Sequence, residues 1–337
     1  MNSQPFYTIP YHKALTLGRR LCRKYGYADS RLLEHEKDPD VAGEHIYNLL
    51  NSGQPCMVAR FGANEINTVF NYIGMTKHRG DALGYVKGKT GPWWWNKQIL
   101  WQMEVCAGFF PTDDANVRRF CELMLKDTPE VDVLGVWLHE ETCVEPLLTN
   151  AYKMAFTWLS PWFSKNPWSR ALEGKRVLVI NPFDDLIKQQ YEKRELLFKD
   201  HRILPDFADL KVIKAVQSFG GNSNSCGFNT WFDALQQMQD EMDRTDYDVC
   251  LLGCGAYGFP LAAHAKRQGK QAVHLGGNLQ ILFGIYGKAF LRPDRWEYRL
   301  HGLPTDFYPR MINEHWVRPG DAYKPKLADY IDGASYW

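Results

Sequence analysis

The chain lacks several features that mark particular classes of protein. Its 40 Lys and Arg nearly cancel its 39 Asp and Glu, so no polybasic surface for nucleic acid is indicated. No run approaches the roughly 18 apolar residues of a spanning helix, and no basic segment with an apolar core opens the sequence. We therefore expect no transmembrane segment, no signal peptide and no nucleic-acid partner, and a location in the cytoplasm or at the inner face of a membrane.

Several sequence patterns of known catalytic and metal sites are also missing. The eight cysteines form no C-x-x-C pair and no Cys/His cluster, which favours reduced thiols over disulfides or structural zinc. The segment His139-Glu-Glu-Thr-Cys143 lacks the second histidine of a zinc-protease helix, and no G-x-S-x-G is present. Zinc proteases and serine hydrolases of the elbow type are therefore excluded.

What the chain has is size, apolar content and many aromatic residues. Its 337 residues are 45% hydrophobic and 14% aromatic, which is enough for a large core. Most of the aromatic side chains are expected to pack in that core. The run Trp93-Trp94-Trp95 offers flat apolar faces, and we expect it to flank an acceptor substrate.

Strands and helices alternate in the second half of the chain. Short apolar runs predict strands at 176–180, 212–216, 248–252 and 271–275, and helical spacing follows each of the first three, with Asn229 as the expected cap of the second helix. This alternation predicts a Rossmann-like α/β fold: a doubly wound, mostly parallel sheet with helices on both faces.

The first half is less regular but is compatible with the same sheet. Strands are predicted at 55–61 and 131–137, and helices at about 11–25, 41–51, 64–72, 95–106 and 115–126. We expect an N-terminal helical segment over 1–54 packed on the core, one catalytic domain over 55–290, and an irregular C-terminal tail over 291–337 packed on that domain.

A glycine-rich turn follows the strand predicted at 248–252. Gly253-Cys-Gly-Ala-Tyr-Gly258 fits G-x-G-x-x-G between a strand and a helix, where Gly253, Gly255 and Tyr257 would face a phosphate-bearing ligand. A nicotinamide or methyl-donor site also needs an acid after the next strand, and His274-Leu-Gly-Gly277 has none. Two alternatives for this turn remain: it binds a phosphate-bearing ligand of another kind, or it is a tight turn with a purely structural role.

Two further loops are expected at the same edge of the sheet. Gly276, Gly277 and Asn278 follow the last predicted strand, and a polar loop over 218–229 contributes Ser218 and Asn222. Ligands bind beyond the carboxyl ends of parallel strands, so these loops are expected to converge on a diphosphate and sugar hydroxyls. For each loop alone, simple turn formation is the alternative.

Charged side chains follow two of the strands predicted in the first half. In Arg60-Phe-Gly-Ala-Asn-Glu65, the arginine can bind phosphate, and Glu65 can hold a cation or accept a proton. A helix-dipole carboxylate is the alternative for Glu65. Glu140 or Glu141 is a candidate second acid, whereas Asp184 or Asp185 is interpreted as a helix cap.

Three segments together resemble the bacterial GT-D-type glycosyltransferases. They are Arg60–Glu65, the strand and turn at 248–253, and Gly269-Lys-Gln-Ala-Val-His-Leu-Gly276. That family has R-F-G-D-G-E after an early strand, and a glycine turn, a helix and a G-x-x-A-I-D-I-G-like strand near its end. The resemblance implies a Rossmann-like domain that transfers sugar from a nucleotide-diphosphate donor. Arg60, Gly62 and Asn64 would bind that donor, and Glu65 would be the catalytic acid and metal ligand.

The sequence departs from this motif at its carboxylates. Ala63 replaces the first acid, Asn64 the following glycine, and His274 the aspartate of the last strand. A divalent cation, Mn²⁺ or Mg²⁺, would thus need Glu65 and an acid from elsewhere, or would be weakly held, or catalysis would proceed without metal.

We expect a glycosyltransferase that acts on a glycan, lipid-linked or protein-linked acceptor in surface polysaccharide or glycoprotein biosynthesis. Two alternatives stay open. One is a Rossmann-type methyltransferase or oxidoreductase that uses the turn at 253–258, and the other is a non-catalytic homologue that binds nucleotide or glycan.

Overall fold

A parallel sheet lies at the centre of the molecule in a computed structural model that describes residues 8–330 and 336–337. Its strands are β1 (Cys56–Ala59), β2 (Val133–Val136), β3 (Tyr152–Ala155), β4 (Arg176–Asn181), β5 (Asp209–Lys214), β6 (Val249–Leu252) and β7 (Gln271–His274). They lie in the order β3-β2-β1-β7-β6-β4-β5, and every neighbouring pair is parallel. The predicted Rossmann-like α/β class is confirmed.

Helices cover both faces of this sheet. They are α1 (Thr8–Lys24), α2 (Pro39–Asn51), α3 (Ala63–Lys77), α4 (Ala82–Val86), α5 (Lys97–Val105), α6 (Asp114–Asp127), α7 (Asp184–Tyr191), α8 (Arg194–Leu197), α9 (Trp231–Asp243), α10 (Gly258–Arg267), α11 (Leu279–Leu282), α12 (Trp296–His301) and α13 (Phe307–Met311). No helix of the described residues is long and apolar enough to cross a bilayer.

Alternate strand residues build two separate cores. In β1, Met57 and Ala59 pack into a core with α3, α6, α9 and α10, whereas Cys56 and Val58 pack on the other face with α2, α7 and the segments beyond β7. Central strands buried on both faces need apolar residues at every position, which is why their sequences are continuous apolar runs.

The predicted elements differ from the structure at several points, and neither Asp184 nor Asp185 caps α7, whose N-cap is Phe183. Strand β5 lies at 209–214 instead of 212–216, because at this edge of the sheet its charged residues can face solvent. Strand β3 was not predicted. Thr230, not Asn229, caps α9, since its hydroxyl accepts a hydrogen bond from the backbone N–H of Asp233 in a capping box.

The described residues of the C-terminal segment, 291–330 and 336–337, pack along the core that contains Cys56 and Val58. The segment contains α12, α13 and short 3₁₀ turns, and the indole N–H of Trp316 donates to the carbonyl of Leu197. Tyr336 lies on Gly277, because a Cβ added to that glycine would overlap the tyrosine ring. Aromatic residues of this segment therefore reach the carboxyl edge of the sheet.

Candidate functional site

The carboxyl ends of four neighbouring strands surround one cavity of about 300 Å³. It lies beyond β1, β7, β6 and β4, the crevice where open parallel sheets bind ligands. Its walls combine polar turns with aromatic side chains, and they include Arg60, Gly62, Ala63, Asn64, Glu65, Gln102, Trp137, Asn181, Phe183, Phe219, Gly253, Gly255, His274, Gly276, Gly277, Gln280, Tyr336 and Trp337.

The two glycine turns in this cavity touch each other. A Cβ added to Gly253 would lie 2.7 Å from the carbonyl oxygen of Gly276, so only glycine fits there. Gly255 and Gly276 adopt φ values of +60° and +59°, in the left-handed region that favours glycine. The predicted convergence of the loops after β6 and β7 is observed.

Asn181, at the end of β4, joins a third turn to this pair. Its amide nitrogen donates to the carbonyl of Gly253 (2.9 Å), and its amide oxygen accepts from the backbone N–H of Phe183 (2.9 Å). The buried side chain therefore fixes the turn after β4 against the turn after β6.

Arg60 carries the positive charge of the cavity. Its guanidinium lies 5.4 Å from the ring centroids of both Trp137 and Phe156, and Nη1 donates to the carbonyl of Phe61 (3.0 Å). A Cβ on Gly276 would come within 3.0 Å of Nη2, so the guanidinium rests directly on the glycine turn. Its Nε is buried and has no partner among the described residues. The side chain is thus held in place while part of its hydrogen-bonding capacity stays unused.

Glu65 is the one carboxylate among the residues that line the cavity in the described chain. It occupies the third position of α3, whose N-cap is Gly62, and its carboxyl group folds back over that glycine. Burial raises the pKa of Glu65, and the positive charge of Arg60 partly opposes this rise. A buried carboxyl group with a raised pKa is a stronger proton acceptor than an ordinary exposed one.

His274 is buried at the end of β7 and stays neutral. Burial, followed by the charge of Arg60, lowers its pKa to about 3. The ring lies against Gly258 at the start of α10, where a Cβ would overlap it, and Nδ1 has no partner among the described residues. His274 therefore offers a neutral polar wall where a ribose-binding site would have an acid.

Glu141 lies behind the cavity wall. Its Oε2 accepts from the backbone N–H of Trp137 (3.2 Å), and burial raises its pKa to about 8. The indole N–H of Trp137 donates to the carbonyl of Phe61 (3.0 Å), and Trp137, unlike Glu141, lines the cavity. Neither candidate second acid, Glu140 or Glu141, lines the cavity with Glu65.

The structure brings eight of the predicted donor-binding and catalytic residues to the cavity: Arg60, Gly62, Asn64, Glu65, Gly253, Gly255, Gly276 and Gly277. The side chains of four others lie elsewhere. Ser218 and Tyr257 are buried and hydrogen bond to each other (2.8 Å), and the Tyr257 ring stacks on Trp231. Asn278 donates to the hydroxyl of Ser160 (2.9 Å), and Asn222 precedes the 3₁₀ turn Ser223–Ser225 and is not among the residues that line the cavity.

The tryptophan run also lies outside the cavity. Trp94 stacks on His12 of α1 at 3.7 Å, and Trp93 packs edge-on against Trp94. Trp95 donates its indole N–H to Asp114. Trp93 and Trp94 therefore pack near α1, outside this cavity, and the expected contact of the run with an acceptor stays a prediction.

Sequence reasoning missed the aromatic and amide residues that complete the walls. Phe219, Tyr336 and Trp337 come from segments without a clear periodic pattern, whereas Trp137 ends the strand predicted at 131–137. The sequence does indicate Asn181 as a site residue, because a polar residue at the end of a buried strand lies at the ligand-binding edge of the sheet.

The cavity residues do not match the two-carboxylate metal site implied by the family resemblance. Among residues 8–330 and 336–337, no group of three or more His, Cys, Asp or Glu could hold a metal ion. Glu65 stands beside a guanidinium and a neutral imidazole, a donor set poorly matched to Mn²⁺ or Mg²⁺.

Comparisons with protein-family models, curated proteins and solved structures give no match for this chain.

Proposed function

We propose that the chain is a glycosyltransferase that transfers a sugar from a nucleotide-diphosphate donor to a hydroxyl group of a glycan, lipid-linked or protein-linked acceptor. The observation that carries the proposal is the position of Arg60: a guanidinium fixed on a glycine turn, beside the amino end of α3, at the carboxyl edge of the sheet. Guanidinium groups and the first N–H groups of a helix both bind phosphate oxygens.

The diphosphate would lie across the turns after β1, β6 and β7. Glycines at 253, 255 and 276 allow the backbone to approach phosphate oxygens closely. Negative charge develops on the leaving diphosphate during transfer, and prepositioned donors stabilise it most in the transition state. Arg60 would supply the full positive charge for this step.

The aromatic walls would hold the nucleoside and the sugar. Phe183, Phe219 and Trp337 line the same cavity as the glycine turns. Bases and sugar rings both pack well on flat apolar faces. This arrangement would place the scissile bond between the diphosphate site and Glu65.

Glu65 would act as the general base that removes the proton from the attacking hydroxyl group. It is suited to this role because it is the one carboxylate in the described cavity wall and because burial raises its pKa. The mechanism derived from these residues needs no metal ion, since Arg60 and backbone N–H groups supply the stabilisation of the diphosphate.

The test is a thermal-shift measurement with UDP, GDP, CMP, NAD and S-adenosylmethionine, each with EDTA, Mn²⁺ or Mg²⁺. A ligand that binds only the folded state at a hundred times its Kd adds about 2.7 kcal/mol of stability. We expect a nucleoside diphosphate to raise the melting temperature in EDTA. A shift with NAD or S-adenosylmethionine alone would overturn the proposal in favour of the methyltransferase or oxidoreductase alternative.

A matched pair of variants locates the binding. Arg60→Met should remove the shift with the nucleoside diphosphate. Arg244→Met, a change at the C-cap of α9, should keep it. If binding is present but no nucleoside diphosphate is released from any nucleotide sugar with any acceptor, the non-catalytic alternative is favoured.

A further inference from the structure

Helix α1 is attached to the body by one face. His12 stacks on Trp94, Gly18 lies against Val86, and the guanidinium of Arg19 donates to the carbonyls of Tyr85 and Thr90 (3.3 and 3.1 Å). The helix therefore has a fixed orientation on α4 and the tryptophan run, and its opposite face points outward.

That outward face carries a continuous apolar stripe. Ala14, Leu17 and Leu21 recur at helical spacing, Tyr25 continues the stripe just beyond the helix, and all four are exposed. Leu17 is 58% exposed, Leu21 46% and Tyr25 64%. On the neighbouring α4, Leu83 is 65% exposed. These side chains protrude from a convex helix surface, which differs from the concave groove that receives a peptide.

Cations run beside this stripe without acids among them. Lys13, Arg20 and Lys24 have the spacing i, i+7 and i+11, and all three are exposed. The first Asp or Glu of the sequence is Asp29. The chain as a whole has a formal net charge of only +1, so this helix is a local concentration of positive charge.

We propose that α1 is a membrane-surface helix that docks the protein on an anionic lipid bilayer. An apolar stripe bordered by Lys and Arg, with a tyrosine at its end, is the pattern of helices that lie in the bilayer interface. Leu17 and Leu21 would enter the boundary between headgroups and acyl chains, and Lys13, Arg20 and Lys24 would contact lipid phosphates. A second copy of the chain fits this face less well, because symmetric pairing would bring six cations together.

The test is co-sedimentation of the full chain with vesicles made of equal parts phosphatidylglycerol and phosphatidylcholine, compared with vesicles of phosphatidylcholine alone. We expect binding to the anionic vesicles only. Each cation near an anionic surface contributes about 1 kcal/mol, so Lys13→Gln/Arg20→Gln/Lys24→Gln should weaken binding on the order of a hundredfold. Leu17→Ser/Leu21→Ser should weaken it about tenfold or more.

A control variant separates this surface from general hydrophobicity. Leu196→Ser/Leu300→Ser removes two exposed leucines from other helices and should bind like the wild type. The melting temperature of each variant in solution establishes that it is folded. Failure of the wild-type chain to bind anionic vesicles would overturn the proposal and favour an acidic protein as the partner. Unchanged binding of Leu17→Ser/Leu21→Ser would also overturn it, since adsorption would then be purely electrostatic.

Discussion

The two ends of the central sheet use polar groups in opposite ways. At the amino ends of the strands, acids are paired: Asp132 accepts from the backbone N–H of Met57 (2.8 Å), and Asp248 accepts from that of Arg176 (2.9 Å) and from its guanidinium. Asp132 precedes β2 and binds the second residue of the neighbouring strand β1. Asp248 precedes β6 and binds the first residue of the neighbouring strand β4. Such bonds fix strand register.

At the carboxyl ends, glycine turns replace these paired acids, and several buried polar atoms have no partner. Nε of Arg60, Nδ1 of His274 and Oε1 of Glu141 are examples within the described residues, and such atoms also occur elsewhere, among them Oδ2 of Asp127 near the amino edge. Unpaired buried polar groups lower stability, and a catalytic role is one explanation for their presence in a native protein. We infer that the amino edge mainly stabilises the sheet and that the carboxyl edge is available for chemistry. Four predictions test this division.

The largest effect is expected for Glu65→Gln. Loss of a general base lowers turnover by about 10²–10⁴-fold, measured as release of nucleoside diphosphate from a nucleotide sugar. Stability should be unchanged or higher, because burial already raises the pKa of Glu65 and glutamine carries no charge. Glu195→Gln, an exposed change on α8, is the control and should keep full turnover. Turnover at the wild-type rate in Glu65→Gln would exclude it as the base.

Glu141→Gln is expected to stabilise the protein at high pH. The folded-state pKa of Glu141 is about 8, against an ordinary value of 4.5, so the unfolded chain releases this proton at lower pH than the folded chain. Wild-type stability should therefore fall as pH rises from 4.5 to 8. Glutamine cannot ionise, and the variant should be more stable at pH 8 by up to about 4 kcal/mol and nearly equal at pH 4. Chemical denaturation across this range measures the difference.

Glu140→Gln is the control for this pH dependence, since Glu140 is the neighbouring carboxylate and is only half-buried. It should leave most of the wild-type fall in stability between pH 4.5 and 8, because burial raises the pKa of Glu141 more than the charge of Glu140 does. A wild-type profile that is flat between pH 4.5 and 8 would contradict an uncharged Glu141 in the folded protein.

At the amino edge, Arg267→Ala should destabilise by about 3 kcal/mol, because it leaves a buried carboxylate without its cation. Nη1 of Arg267 donates to Oδ1 of Asp127 (2.8 Å), and Asp127 is fully buried. Urea denaturation measures the loss. The double variant Asp127→Asn/Arg267→Ala should recover part of the stability, and nucleoside diphosphate affinity should stay unchanged in both. A loss of affinity in the folded variants would break the division between the two edges.

The smallest effect is expected for Gly255→Ala. The added methyl group would lie at the cavity wall, 3.4 Å from the carbonyl oxygen of Ala107, and should weaken nucleoside diphosphate binding about tenfold. Gly269→Ala is a matched control, because Gly269 also has a positive φ (+78°) but has open space around it. Both variants should lose about 1–2 kcal/mol of stability from backbone strain, measured by denaturation. Equal nucleotide affinity in the two variants would place the ligand away from Gly255.

The sequence was most informative where local pattern decides structure. Continuous apolar runs located six of the strands, and glycines after β6 and β7 marked the turns that meet at the cavity. Arg60 and Glu65 were found because a strand end followed by a helix start places both side chains at the ligand-binding edge. In this segment, residues that are close in sequence are also close in space.

Sequence reasoning failed where the partner of a side chain is distant in the chain. Ser218 was expected at the ligand, but its hydroxyl donates to the carbonyl of Gly108 (2.6 Å), a residue 110 positions away. A polar residue in a glycine-rich loop has the same local pattern whether it binds a ligand or closes a core contact. The aromatic walls from Phe219 and Tyr336 depend on similar long-range packing, and no local periodicity indicates them.

The contact between Arg60 and Gly276 links two positions that are far apart in sequence. The guanidinium rests where any side chain at 276 would project, and two aromatic rings restrict its movement away from that turn. Replacing the glycine alone would push the arginine out, and replacing the arginine alone would leave an empty space. In a collection of related sequences, the two positions should therefore change together, with larger residues at 276 accompanied by shorter ones at 60.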